Sequence, residues 1–91
     1  MNSKEMILIN KIRTLESEIS LYKEWVRALN EEVQDLLRDY EDRVRASQDT
    51  SYEVSRLEHY RKLIRIYTDK IIDNRIKLDA YKNRLSLVSN R

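Results

Sequence analysis

Glycine, proline, cysteine and phenylalanine are all absent from these 91 residues. Average usage would supply roughly 11 glycines and prolines in a chain this long. Most turns, bulges and phosphate-binding loops depend on those two residues. A β-rich or α/β fold is thereby disfavoured, and glycine-dependent nucleotide motifs are excluded. Without cysteine there is no disulfide, no thiolate nucleophile and no cysteine-ligated zinc. That absence also leans toward a reducing compartment. The longest apolar run is Met6–Ile9, against the ~20 residues that a membrane span needs. The chain is accordingly expected to be cytoplasmic, soluble and free of the membrane.

What is present is charge and period. Charged residues make up 37% of the chain, and the mean hydropathy is -0.75. Residues 1–47 carry 8 Lys+Arg against 10 Asp+Glu, whereas residues 48–91 carry 10 against 6, giving the overall +2. The second half is therefore mildly basic. From Leu8 to Tyr40, apolar residues recur at alternating spacings of four and three. Ile12, Ile19, Val26, Val33 and Tyr40 take the a positions of a heptad, and Leu8, Leu15, Tyr22, Leu29 and Leu36 the d positions. A stripe of period 3.5 is buried only between the side chains of another helix.

The stripe stops after Tyr40, where Arg43 and Ser47 occupy the next d and a positions. Ser47–Ser51 contains no apolar side chain, and Asp, Ser and Thr favour caps over helix interiors. Asn2 with Glu5, and Thr50 with Glu53, have the spacing of capping boxes. The pattern therefore predicts one helix over about 3–47, a turn at 48–50, and a second helix over about 51–88. The second helix has its own seam, in which Leu57, Ile64, Ile71, Leu78 and Leu85 at a alternate with Tyr60, Tyr67, Asn74, Tyr81 and Val88 at d.

The fold class predicted is all-α, an antiparallel coiled-coil hairpin assembling into a four-helix bundle or higher homo-oligomer. A turn centred on Thr50 would layer Tyr67 on Val33, Asn74 on Val26, Tyr81 on Ile19 and Val88 on Ile12. A competing signal exists, because β-branched residues at a with leucine at d also favour parallel pairing between chains. An isolated two-helix hairpin buries only a narrow seam, so further apolar surface must be covered.

That surface is sought off the seam. Ile66, Ile72, Ile76, Ala80 and Leu87 form a broken second stripe on the second helix, and Trp25 and Leu37 flank the seam of the first. Trp25, Leu37, Ile66, Ile72, Ile76 and Leu87 are the expected interaction residues, with a homodimer the expected assembly and a second protein a further partner. Asn74, the one polar residue of its seam, is expected either to set register or oligomer state or to reach solvent past Val26.

Catalytic chemistry finds little support. Glu31, Asp35, Asp39 and Asp42 line one ridge of a single helix, and ligands on one surface do not converge on an ion. His59 is the only histidine and has no plausible activated serine beside it. No metal, no cofactor and no enzymatic activity are expected. The cations of the second helix spread around it, and its tyrosines lie on the core face, which leaves nucleic-acid binding by charge alone as the alternative function. In shape and composition the chain resembles small helical-hairpin scaffolding, adaptor and inhibitor proteins. The resemblance implies a non-enzymatic protein–protein interaction module.

Overall fold

A computed structural model of the chain describes residues 2–89. Two helices account for nearly all of it, α1 over Ser3–Arg45 and α2 over Ser51–Ser89. They pack against each other as an antiparallel hairpin measuring 69 × 15 × 14 Å. One unbroken helix of this many residues would run roughly 130 Å, so the length alone shows that the chain doubles back. No helix among the described residues is long and apolar enough to cross a membrane.

The helix ends follow local chemistry. Asn2 caps α1, its Oδ1 accepting from the Glu5 amide at 2.8 Å, as the capping-box spacing predicts. The C-terminus of α1 closes two residues earlier than expected. Gln48 N–H donates to the Arg43 carbonyl at 2.8 Å and Ser47 N–H to the Val44 carbonyl at 3.1 Å. Those two bonds form a Schellman motif, whose C′ residue must be left-handed. Ser47 takes that position with φ of 55°, in a chain that has no glycine to offer. Ser47→Gly should therefore stabilise the hairpin by about 0.5–1 kcal/mol in urea unfolding, because glycine adopts positive φ without a Cβ clash. A destabilised variant would mean that the αL turn is not what ends α1.

Helix α2 is capped by Asp49, and its first backbone bond runs from the Val54 amide to the Thr50 carbonyl. The Ser51 hydroxyl and amide donate to Asp49 Oδ1 at 2.7 and 3.1 Å, and these bonds hold the Asp49 carboxyl below its ordinary pKa. A lowered folded-state pKa contributes stability above the usual carboxylate value of about 4, and this is lost as pH falls through the lowered value. Glu53, expected to complete a box with Thr50, turns instead across the hairpin to Arg43, at 2.6 Å.

The core lies along the seam that the heptads predict. Leu8, Ile12, Leu15, Ile19 and Val33 of α1 are buried, as are Leu57, Ile71 and Leu78 of α2. Ile12, Leu15, Ile19, Ile71 and Leu78 form one cluster, flanked by Tyr22, Val26, Tyr81 and Leu85. None of the buried apolar residues is less than 7% exposed, because two cylinders cannot enclose a side chain from all sides.

The register differs from the one centred on Thr50. Asn74 lies beside Glu18 rather than Val26, its Nδ2 donating to Glu18 Oε2 at 3.0 Å. Tyr67 stacks on Tyr22 rather than facing Val33, and Tyr81 carries the Lys11 ammonium rather than facing Ile19. Each partner in α1 falls a heptad or more nearer the N-terminus. The early Schellman stop moves the turn in the same direction. Moving the centre of the turn by half a heptad displaces the facing layers by a whole one, and a heptad displacement keeps every apolar position on the seam. The shift also adds a layer near the turn, where Arg43 meets Glu53, a residue on the seam four places before Leu57.

Candidate functional site

With the seam closed, the hairpin has two broad sides and two outer edges. Residues at heptad positions e and b of both helices share one side, and those at g and c share the other, as antiparallel pairing requires. Glu16 of α1 and Lys82 of α2, both at e, approach to 4.0 Å on the first side. Trp25 of α1 and Leu63 of α2, both at g, line one groove on the second.

Trp25 is the centre of that second side. It stands midway along α1, where g residues flank the seam, and its indole meets the Tyr67 ring edge-on at 5.1 Å and the Tyr22 ring at 5.7 Å. Tyr22 and Tyr67 stack across the seam at 5.7 Å with an interplanar angle of 19°. Edge-to-face and offset pairs at these separations add roughly 0.5–1.5 kcal/mol beyond area burial. The Lys70 ammonium sits 5.8 Å from the Tyr22 ring centre. Trp25 is nonetheless 42% exposed, in a shallow groove it shares with Ala28, Leu29 and Leu63.

A second apolar groove opens on the same side near the helix ends, lined by Ile7, Leu8, Leu87 and Val88 with Lys4 and Arg84 at its rim. Between the two grooves lie Lys11, Thr14, Glu18 and Lys77, with Asn74 beneath. The remaining expected interaction residues divide. Ile66 shares the c line of α2 with Leu87, so both belong to the Trp25 side. Ile72 and Ile76, 53% and 65% exposed, stand four residues apart on the b and f lines of α2, toward its outer edge. Leu37 is half-buried at an e position, on the opposite side from Trp25. The six residues therefore do not form one surface.

Asn74 is buried, and its amide is bonded within the chain to Glu18. The solvent-reaching position past Val26 is not the one it takes. The Glu53 position is what the sequence reading missed. Its carboxylate is 3% exposed, with Oε1 on the Arg43 guanidinium and Oε2 buried without a partner. Counting the α2 heptad backward from Leu57 would have placed Glu53 on the seam.

No family model matches the chain, and no curated protein or solved structure matches it either. The reading of the surface consequently rests on its own chemistry.

Several of the charged groups are engaged in short-range pairs. On the acidic ridge, Asp35 pairs with Arg38 at 3.6 Å and Asp42 with Arg45 at 3.9 Å. Arg43 turns to Glu53 rather than to Asp39 one turn before it, and Arg45 to Asp42 rather than to Glu41. His59 packs 5.9 Å from the Tyr60 ring, and Tyr60 accepts from Arg56 at 2.6 Å. Among the described residues, no group of three or more His, Cys, Asp or Glu side chains is placed to hold a metal ion.

Proposed function

We propose that the chain is a non-enzymatic protein–protein interaction module, a small coiled-coil scaffold, adaptor or inhibitor. It self-associates and presents a helical face to a second protein. One observation carries this reading. Large apolar side chains, Trp25, Ile66, Ile72, Ile76 and Leu87 among them, remain 42–69% exposed on a hairpin whose own seam leaves every core residue partly wet. Exposed apolar surface of this extent on so thin a protein marks interaction sites. Burying each aliphatic side chain would contribute roughly 1.5–3 kcal/mol to an assembly.

The test is Ile72→Asp combined with Ile76→Asp. Both side chains are half exposed or more, so circular dichroism should report unchanged helicity. Loss of two such contacts should weaken self-association or the capture of a partner by at least about 10-fold. Unchanged sedimentation together with unchanged capture would leave the outer edge of α2 without a role.

A further inference from the structure

The charge along the Trp25 side is divided in two, and this division bears on what covers it. Toward the open end of the hairpin, the g and c positions carry five cations, Lys4, Lys11, Lys70, Lys77 and Arg84, against Glu18 and Asp73. Toward the turn they carry four carboxylates, Glu32, Asp35, Asp39 and Asp42, against Arg56. Trp25 lies at the boundary. The opposite side has no such division, since its e and b positions are net positive in both halves.

A side that is basic at one end, acidic at the other and apolar in the middle is complementary to itself when inverted. We infer that this side binds a second copy of the chain, related by a two-fold axis crossing the helices at the level of Trp25, so that α1 lies antiparallel on its counterpart. The inference rests on the self-association in the function proposed above and specifies its face and direction. A two-fold interface uses the same patch on both copies, so only self-complementary surfaces qualify. Inversion about Trp25 brings Lys11 to the height of the second copy's Asp39, and Lys4 close to that of its Asp42. It also sets the apolar centres, Trp25 with Ile66 and Leu63, against each other. The alternative two-fold, parallel to the helices, would lay α1 on α2 of the second copy and bring Lys4 and Lys11 against Arg84 and Lys77, a contact penalised by like-charge repulsion. Glu18 is the one acid out of place at the basic end of α1, and it is already bonded to Asn74. The face is large enough, since sides of 69 and 15 Å span on the order of 1,000 Å² per copy, against roughly 800 Å² per partner in a stable complex.

The experiment uses the full chain and two reciprocal charge reversals, Lys4→Glu with Lys11→Glu, and Asp39→Lys with Asp42→Lys. Lys4 lies in the first turn of α1 and Asp42 in its last, where the reversed charges suit the helix dipole, so helicity is preserved. Sedimentation of the unaltered chain should give twice 11.1 kDa, and each reversed variant alone should dimerise roughly 100-fold more weakly. An equimolar mixture of the two should regain the dimer, because every reversed pair is then matched. Independently of any variant, the emission of Trp25, the one tryptophan, should shift to the blue in step with dimerisation. A monomer at all concentrations overturns both this interface and the proposed self-association. A dimer indifferent to both reversals, or one that forms with no change in Trp25 emission, overturns this interface alone and leaves self-association standing. Two weakened variants that fail to rescue each other would overturn the antiparallel direction.

Discussion

Truncating Leu15 to alanine should remove about 2–3 kcal/mol of unfolding free energy, and truncating Leu78 should do the same. Both side chains are 9% exposed and belong to the one continuous apolar cluster between the helices. Deleting them removes transfer free energy and leaves a gap that straight helices close only partly. The lower end of the usual range applies because water already reaches the edges of a two-helix seam. Leu15 and Leu78 share a cluster, so the double variant should lose less than the combined single losses. Since small domains hold only about 5–15 kcal/mol in total, either change consumes a large fraction of the stability. Urea titrations followed by circular dichroism would measure both. Losses below about 0.5 kcal/mol would mean that the seam is not where the chain is held.

The second large effect is expected at the turn. Arg43→Ala should cost about 2 kcal/mol, because it strands the Glu53 carboxylate, which is 3% exposed and has no other cation among the described residues within bonding distance. The figure lies below the 3–5 kcal/mol typical of a buried pair because Arg43 itself is half exposed and water screens it. The paired substitution Arg43→Met with Glu53→Met separates two explanations. If the layer is a desolvated ion pair on the seam, the double variant should be at least as stable as the original, since Glu53 Oε2 is buried unpaired and a thioether asks for no partner. A double variant weaker than Arg43→Ala would show that the pair stabilises the turn more than its desolvation costs.

These two predictions concern parts of the molecule that differ in how far the sequence revealed them. The apolar seam was legible because an all-helical heptad has few alternative readings, and Leu8, Ile12, Leu15, Ile19 and Val33 are buried where the spacing put them. The position of the turn was legible from the polar run Ser47–Ser51, and the Asn2 cap from its three-residue spacing to Glu5. Register was not, because a heptad pattern fits every seven-residue slip equally well. What selects among the slips is the exact residue at which α1 stops, and a serine in the left-handed region carries no signature comparable to glycine.

The surface was less legible still. Exposure of Ile72 and Ile76 agrees with their distance from the seam, but an apolar stripe says nothing about which side of a hairpin it occupies. Leu37 looked like Trp25 in sequence, each flanking the same seam, and only the pairing of e with e and g with g assigns them to opposite sides. Asn74 drew attention as the polar residue of its seam, yet its partner could not be named until the register was known. Glu53 was hidden by a competing role, since a glutamate three residues after threonine fits a capping box as well as a seam position.

Distances between electron-spin labels test the hairpin and its register most directly. The chain has no native cysteine, so single cysteines at Arg13, Asp79 and Ser86, all exposed, can carry the labels. Labelled chains are diluted in unlabelled protein so that only separations within one molecule are read. Arg13 and Asp79 should lie roughly 10–25 Å apart, as helix axes 8–10 Å apart with label arms imply, and the Arg13–Ser86 pair should be longer. A separation near 100 Å, as ~1.5 Å of rise per residue gives for an unbroken rod, would contradict the hairpin. An Arg13–Ser86 distance shorter than Arg13–Asp79 would contradict the register.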